Sequence, residues 1–315
     1  MKPSLETVHP ELRKPASMWP SFPVKTRNLW LWRLMMRLSP PTAQTADLLV
    51  ETINIPAGEQ DGQMRLRVYR PSQLAAPLPM LLWLHGGGYV IGRPEMDDAI
   101  CMEYAREAGL LVVAPDYRLA PEHPYPAALN DGYTTFKWMI ANATRFKADP
   151  QKVAIGGASA GGGLAAALCQ FCLDQSEIRP AFQLLVYPML DNKSSSEATA
   201  PEPAHFVWDH ASNRFGWASY LGPSTGAESA LEYAVPARRA DFTGLPAAWI
   251  GVGSLDLFHS EDMLYAQRLQ EAGINCETMV VTGGFHGFDV TAPAASITRE
   301  FRRAQISALR RALYG

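Results

Sequence analysis

Ser159 has the surroundings that a nucleophilic serine requires. It lies at the centre of Gly157–Gly161, which matches the pattern G-x-S-x-G. An apolar β-type run, Lys152–Gly156, comes directly before it, and a helix-type run, Gly162–Leu168, follows. A sharp strand-to-helix turn needs small residues on both sides of the serine, whose hydroxyl it raises above a sheet. The pentapeptide alone is a weak signal because Gly and Ser are common in turns, so its strand and helix context carries the prediction.

His286 is the histidine best placed to activate that serine. A serine hydroxyl is a poor nucleophile near neutral pH and needs a base within hydrogen-bond reach. In proteins that carry this turn, the chain order is serine, acid, histidine, with the histidine after the last strand. His286 lies in the glycine-flanked loop Gly283–Phe288, directly after the β-type run Glu277–Val281. The other downstream histidines, His210 and His259, precede that run, so we predict that His286 is the base.

A carboxylate must orient the histidine, and Asp256 has the right position for this task. It follows a late β-type run, at the carboxyl end of a strand, where ligand chemistry takes place in open α/β sheets. Glu261 and Asp262 are the alternatives, but both fall in the first turn of the next helix-type run, where a carboxylate favours the helix dipole. Asp289 follows His286 too closely in sequence to orient it.

A glycine-rich loop can supply the donors that an oxyanion needs. The run His85–Gly88 follows a β-type segment, and its glycines let the main chain come close to a substrate. We predict that the N–H groups of Gly87, Gly88 and Ala160 form an oxyanion hole, in which one donor is worth about 10²–10³ in rate. A phosphate-binding loop is the alternative, but the run lacks the required Lys. We expect His85 to brace the loop by hydrogen bonds.

Strand-type runs alternate with helix-type runs along the chain, a pattern typical of a mostly parallel α/β sheet. The predicted strands are Glu51–Pro56, Met64–Pro71, Met80–His85, Leu110–Asp116, Lys152–Gly156, Phe182–Tyr187, Ala247–Gly253 and Glu277–Val281. The predicted helices are Pro94–Ala108, Pro126–Asn142, Gly161–Leu173, Ser260–Ala272 and Ser296–Leu313. A short turn-like segment separates the first two strands. We therefore expect an eight-stranded sheet that begins with an antiparallel hairpin and continues parallel.

Two regions fall outside this alternation and are rich in large apolar residues. They are roughly residues 1–45 and roughly residues 191–221. Each could cover a cleft above the sheet. The segment Asn28–Leu38 could instead lie in a membrane interface, because arginines flank its apolar residues. Its polar face is thin, however, so a helix that covers the cleft is the preferred interpretation.

Composition limits the classes of function that the chain can have. With 315 residues, 47% of them hydrophobic and 19% charged, it has the composition of an ordinary globular protein. A net charge of −3 gives no reason to expect a nucleic-acid or membrane partner. The first residues contain no continuous apolar run of the signal-peptide type, so we expect a cytoplasmic protein. Cys169 and Cys172 form a C-x-x-C on one helix, which we interpret as buried packing, not as a metal or redox site.

Together the motifs resemble the hormone-sensitive-lipase family of α/β-hydrolases, a group of bacterial esterases with an HGGG oxyanion loop. The matching segments are His85–Tyr89, Asp116–Glu122, Tyr125–Ala128, Gly157–Gly161, the segment around Asp256, and Phe285–Phe288. The resemblance implies an esterase of the α/β-hydrolase fold in which Ser159, Asp256 and His286 form a catalytic triad. It also implies short- to medium-chain acyl esters as substrates, with no metal and no cofactor.

The same resemblance implies a domain organisation. Residues 1–45 and 191–221 would form a mostly helical cap over the active site, and residues 46–190 and 222–315 would form the catalytic domain. Aromatic and Met side chains of the cap would then line the acyl and alcohol pockets. The segment Asp116–Glu122 would position the oxyanion loop. Many members of this family form homodimers through the edge of the last strand, so a homodimer is a possible assembly.

Two places depart from the family pattern. Ala158 precedes the nucleophile where the family usually has Asp or Thr. The acid segment is Asp256–Phe258, not Asp-Pro-Leu, and Ser260 stands where a second acid is common. Two other functions stay open: an amidase or deacetylase with the same triad, and a small-molecule receptor on the same fold. The plant gibberellin receptor resembles this family but lacks the catalytic histidine, which this chain has at His286.

Overall fold

A computed structural model describes residues 4–18, 23–38, 42, 45–57, 62–73, 77–176, 178–195, 205–222 and 232–315. Within these ranges eight strands form one sheet, and nine α-helices surround it. The strands are β1 (Leu48–Pro56), β2 (Gln63–Pro71), β3 (Leu78–Leu84), β4 (Leu111–Pro115), β5 (Ala148–Ala158), β6 (Phe182–Val186), β7 (Ala247–Gly253) and β8 (Cys276–Val281). The helices are α1 (Arg13–Met18), α2 (Leu29–Leu38), α3 (Asp98–Glu107), α4 (Ala127–Ala141), α5 (Ala160–Gln175), α6 (His210–Leu221), α7 (His259–Glu271), α8 (Phe288–Thr291) and α9 (Ser296–Tyr314).

The sheet is mostly parallel, as the alternation of strand and helix predicted. Its strand order is β1-β2-β4-β3-β5-β6-β7-β8. Strand β2 runs antiparallel to both β1 and β4, and the remaining pairs are parallel. The predicted antiparallel start and the eight-stranded α/β-hydrolase sheet are therefore confirmed. Among the strands, the largest boundary difference is in β5, which begins at Ala148 because Ala148 pairs with Leu78 across a register shift.

Both faces of the sheet are covered, which explains why the central strands are buried and mostly apolar. All residues of β3, β4 and β6 are buried. Along β3, Met80, Leu82 and Leu84 belong to one apolar cluster, whereas Leu81 and Trp83 belong to the other. This alternation follows from the period of two in a strand, which sends successive side chains to opposite faces. Helix α5 packs on the first face and helix α9 on the second.

Parallel strands bring several chain segments to one edge of the sheet. The segments that leave the carboxyl ends there begin with His85 after β3, Ser159 after β5 and Tyr187 after β6, and include Asp256 after β7 and His286 after β8. The register pairs the last residues of neighbouring strands, Ala158 with Val186 and Gly253 with Val281. Residues that are up to about two hundred positions apart in sequence therefore meet at this edge.

The two regions that fell outside the alternation contain α1, α2 and α6 among their described residues. They are joined by a hydrogen bond from the Val24 N–H to Ser212 Oγ, at 3.0 Å. The Arg33 guanidinium of α2 donates to the carbonyl oxygens of Val90 and Ala120, both at 2.9 Å. Their assignment to a separate cap stays a prediction. Within the described ranges, no helix is long and apolar enough to cross a membrane.

A buried ion pair fixes the segment between β4 and α4. The Asp131 carboxylate, which is almost fully buried in α4, accepts from the Arg118 backbone N–H at 2.8 Å and from its guanidinium Nη2 at 2.8 Å. The same segment reaches the loop after β3 through the Ala120 N–H, which donates to the Tyr89 carbonyl at 2.9 Å. This contact agrees with the expectation that Asp116–Glu122 supports that loop.

We expect Asp131→Ala to lower the free energy of unfolding by about 3 kcal/mol, because it leaves a largely buried guanidinium without its carboxylate. Urea denaturation followed by circular dichroism measures the change. The control is Asp47→Ala, which removes the exposed Asp47–Arg106 ion pair and should have a much smaller effect. Equal effects of the two substitutions would contradict a specific role for the buried pair.

Candidate active site

Ser159 lies in a strained turn between β5 and α5. Its backbone angles are φ 57° and ψ −122°, a conformation that a residue with a Cβ rarely adopts. Hydrogen bonds hold the turn: the Ser159 N–H donates to the Val186 carbonyl at 2.9 Å, and the Ser159 carbonyl accepts from Met189 at 2.9 Å and Gly163 at 3.0 Å. This is the strand-turn-helix geometry predicted for a nucleophilic serine.

The two glycines of the pentapeptide are there because no side chain fits. A Cβ at Gly161 would lie 2.0 Å from the Leu84 carbonyl oxygen. A Cβ at Gly157 would lie 2.3 Å from the Gly161 carbonyl oxygen. In both cases the obstacle is backbone that belongs to the sheet or the turn, which cannot move aside. The spacing G-x-S-x-G therefore follows from the packing of this turn.

Ser159, His286 and Asp256 form a continuous hydrogen-bonded line. Ser159 Oγ lies 2.9 Å from His286 Nε2. His286 Nδ1 lies 2.9 Å from Asp256 Oδ2 and 3.1 Å from its Oδ1. Because an ionised carboxylate only accepts hydrogen bonds, Nδ1 carries the proton and the lone pair of Nε2 faces the serine hydroxyl. All three residues are buried, and the arrangement can take a proton from Ser159.

Aromatic rings enclose the imidazole of His286. The Phe258 ring lies 5.2 Å away at an interplanar angle of 88°, and the Tyr187 ring lies 4.9 Å away at 63°. The Phe258 N–H also donates to Asp256 Oδ1 at 3.0 Å, which fixes the carboxylate. Sequence reasoning missed Tyr187 and Phe258. The one signal available for Tyr187 was its place directly after a strand that ends at the edge of the site.

The two alternative acids lie elsewhere. Glu261 Oε1 accepts from the Leu190 N–H at 2.8 Å and the Asp191 N–H at 3.2 Å, so it stabilises the loop after β6. Asp262 is fully buried in the first turn of α7, and burial raises the pKa of its carboxyl well above the usual value. The hydrogen bonds of the His286 ring go to Ser159 and Asp256, so the structure brings the preferred acid to the histidine.

Three backbone N–H groups are available beside Ser159. Among the residues that the structure describes, none accepts a hydrogen bond from the N–H of Gly87, Gly88 or Ala160. Ala160 is the first residue of α5, where the helix dipole is positive. The glycine loop packs on the turn, since a Cβ at Gly86 would lie 3.4 Å from the Ser159 Cβ. The arrangement can therefore stabilise negative charge that develops next to the serine.

His85 has the bracing geometry that was expected of it. Its Nδ1 donates to the Gly86 carbonyl at 2.8 Å, and its ring stacks on Tyr117 with the centroids 4.2 Å apart. The Tyr117 hydroxyl donates to the His85 carbonyl at 2.7 Å. Burial lowers the pKa of His85, which favours the neutral ring. Within the described ranges, no group of three or more His, Cys, Asp or Glu side chains is arranged to hold a metal ion.

Trp208 limits the space beside the glycine loop. A Cβ at Gly88 would lie 2.1 Å from Trp208 Cη2, so the edge of the indole rests directly on the Gly88 backbone. Trp208 is buried, and its Nε1 donates to Asn213 Oδ1 at 3.4 Å. It belongs to the second of the two regions outside the alternation. One large side chain of that region therefore lies against the loop that flanks Ser159.

Comparison with known proteins agrees with this geometry. The model of a family described as having the alpha/beta hydrolase fold matches residues 81–290. Carboxylesterase NlhH of Mycobacterium tuberculosis is 34% identical over 257 residues, which are 79% of this chain and 78% of that protein. Ethyl acetate hydrolase of Pseudomonas putida is 33% identical over 245 residues, 73% of each chain. The crystal structure of esterase LipW from Mycobacterium marinum superposes with a TM-score of 0.86 at 33% identity, covering 100% of this chain and 99% of that chain.

We expect the reaction of Ser159 with a fluorophosphonate to slow by about 10²-fold or more in His286→Ala, because general-base assistance contributes about 10²–10⁴. The second-order rate constant of labelling, followed by intact-protein mass spectrometry, measures the effect. His123→Ala removes an exposed histidine and serves as the control. An unchanged labelling rate in folded His286→Ala would contradict the assignment of His286 as the base.

Proposed function

The chain belongs to the hormone-sensitive-lipase-like branch of the α/β-hydrolase family and is a carboxylesterase, and we propose that it cleaves short- to medium-chain acyl esters through an acyl-enzyme on Ser159. The observation that carries the proposal is the hydrogen-bonded line from Ser159 Oγ through His286 to Asp256, with distances of 2.9 Å at both ends of the imidazole. The unpaired N–H groups beside the serine supply the second requirement of acyl transfer.

Acylation begins with a proton transfer from Ser159 to His286. The serine oxygen attacks the ester carbonyl carbon, and the carbonyl π electrons move to its oxygen. Asp256 keeps the imidazole in the tautomer with the proton on Nδ1 and stabilises the imidazolium that forms. The N–H groups of Gly87, Gly88 and Ala160 donate to the new oxyanion, which carries more charge than the ester oxygen did. These contacts strengthen as the transition state forms, so they raise kcat.

Collapse of the tetrahedral intermediate completes the first half of the reaction. The bond from carbon to the alkoxy group breaks, and His286 protonates the departing oxygen to release the alcohol. Water then takes the place of the alcohol. His286 removes a proton from the water, whose oxygen attacks the acyl carbon, and the Ser159 oxygen leaves with the proton that His286 returns. The products are a carboxylic acid and the free enzyme.

We infer that residues 1–45 and 191–221 form a cap that limits the acyl pocket. Trp208, within the second range, rests on Gly88 beside the proposed oxyanion hole. We expect a large ring in this place to obstruct a long acyl group more than a short one. The ethyl acetate hydrolase that this chain resembles is named for an ester with a short acyl group, which supports the same size range.

We expect Ser159→Ala to lower kcat on p-nitrophenyl acetate by at least about 10³-fold while the protein stays folded, because the acyl-enzyme can no longer form. Steady-state kinetics and circular dichroism test this. Ser307→Ala, at an exposed position of α9, is the matched control. Full activity of folded Ser159→Ala would refute the mechanism. Faster cleavage of a matched anilide than of the ester by the unmodified protein would favour an amidase instead.

We expect Trp208→Leu to shift the acyl-chain preference toward longer esters, because the smaller side chain frees space next to Gly88. The ratio of kcat/KM for an octanoyl ester to that for an acetyl ester should rise by about tenfold, since pocket methylenes are worth about 1–3 kcal/mol. A series of p-nitrophenyl esters from acetyl to dodecanoyl measures the profile. Trp30→Leu is the control, as the Trp30 side chain is 66% exposed. An unchanged ratio in Trp208→Leu would remove Trp208 from the acyl pocket.

A further inference from the structure

The short segment after β6 contacts both the nucleophile and the base. Its first part holds the Ser159 backbone from two sides, because the Val186 carbonyl accepts from the Ser159 N–H and the Met189 N–H donates to the Ser159 carbonyl, each at 2.9 Å. Between these residues, Tyr187 sends its side chain to the His286 ring, with the centroids 4.9 Å apart. Val186, Tyr187 and Met189 therefore relate the position of the serine to the position of the imidazole.

Tyr187 is held in a strained backbone conformation. Its φ is +35°, although it is not a glycine. Such a conformation costs of order 1 to 3 kcal/mol and persists only where the surroundings enforce it. Here the Tyr187 N–H donates to the Gly251 carbonyl at 2.7 Å, and its side chain is buried. With this backbone conformation the chain turns away from the direction of β6, and the Tyr187 ring contacts His286.

The hydroxyl of Tyr187 contacts the segment that follows His286. It donates to Asp289 Oδ1 at 2.8 Å, and both groups are buried. Asp289 lies three positions after His286, in α8, and its carbonyl accepts from Arg302 Nη2 of α9 at 3.1 Å. Burial raises the pKa of the Asp289 carboxyl, and the Arg302 charge and the Tyr187 hydroxyl oppose this rise. Half-buried Asp97 is a further carboxyl near Asp289.

We propose that Tyr187 and Asp289 are a positioning pair that holds the imidazole of His286 in register with Ser159. Their hydrogen bond closes a ring of contacts that runs from His286 along its own loop to Asp289, across to Tyr187, and back to the imidazole through the aromatic ring. Asp289 thus acts on His286 through Tyr187. Asp289 itself follows His286 too closely in sequence to orient the imidazole directly. The inference rests on the proposed ester hydrolysis.

Such a pair matters because proton transfer tolerates only a small change in the distance between the donor and the acceptor. The base loop begins after β8 and the nucleophile follows β5, so small movements of the loop change the distance from Oγ to Nε2 directly. A displacement of about 1 Å costs about 10²-fold in rate. A link from the segment that fixes Ser159 to the loop that carries His286 removes this freedom.

Three variants separate the geometry of the pair from its charge. Tyr187→Phe keeps the ring on His286 but removes the donor. Asp289→Ala removes the acceptor, whereas Asp289→Asn keeps an oxygen acceptor and removes the charge. The matched control is Tyr69→Phe, since the buried Tyr69 hydroxyl donates to buried Asp98 at 2.7 Å, an equivalent bond away from the site.

We expect Tyr187→Phe and Asp289→Ala to lower kcat on p-nitrophenyl acetate by about 10- to 100-fold with KM changed less than about threefold. Asp289→Asn should retain kcat within about threefold of the unmodified protein. Tyr69→Phe should retain kcat while losing thermal stability to a similar extent. Steady-state kinetics, Tm and the rate of fluorophosphonate labelling are measured for each variant.

Two results would overturn the proposal. One is a kcat loss below about threefold in both Tyr187→Phe and Asp289→Ala, which would leave the hydrogen bond with a structural role only. The other is an equal loss in Asp289→Asn and Asp289→Ala, which would assign the effect to the carboxylate charge. Ser159→Ala distinguishes these failures from failure of the proposed function, because activity in that variant would refute the mechanism whatever the pair does.

Discussion

The strained turn at Ser159 is the constraint on which the rest of the site depends. A positive φ at a residue with a Cβ costs of order 1 to 3 kcal/mol, which neighbouring hydrogen bonds must offset. Three of them do so, from Val186, Met189 and Gly163. The turn also requires glycine at 157 and 161, because backbone atoms occupy the space that a Cβ would need. Strand β5, strand β6 and helix α5 are thus tied together at the backbone of Ser159.

The second principle of the site is convergence at one sheet edge. Ser159 follows β5, Asp256 follows β7 and His286 follows β8, so their hydrogen-bonded line depends on the parallel arrangement of those strands. The burial of Ser159, His286 and Asp256 then strengthens the hydrogen bonds among them, since charges interact more strongly where water is excluded. The aromatic rings of Tyr187 and Phe258 provide that exclusion and also limit the rotation of His286.

Ala158 illustrates how this chain differs from the usual pattern of its family. The side chain next to the nucleophile is apolar and half-buried, and it packs against the apolar cluster that contains Tyr187 and Phe285. A polar residue at this position would have to find a hydrogen-bond partner inside that cluster. In this chain, packing and the Tyr187–Asp289 hydrogen bond hold the loop around His286. Ala158, which has no polar side-chain atom, places no such demand on the cluster.

The local patterns of the sequence were enough to predict the alternation of strands and helices, the sharp turn at Ser159 and the glycine loop. They also led to the choice of Asp256 and His286. Each of these depends on neighbours within a few residues, or on the periodicity of a strand or helix, and such signals are visible in one dimension. Tyr187 and Phe258 were not recognised, since an aromatic residue that follows a strand has no distinctive spacing. Trp208 and Tyr117 lay in segments assigned to the cap and to the support of the oxyanion loop, but the patterns assigned neither side chain a specific contact. Their roles arise from contacts between residues far apart along the chain, such as that from Tyr187 to Asp289, which are 102 positions apart. Only the packing of the sheet and the helices decides which rings meet the imidazole, because these contacts form after distant segments have been brought to one edge.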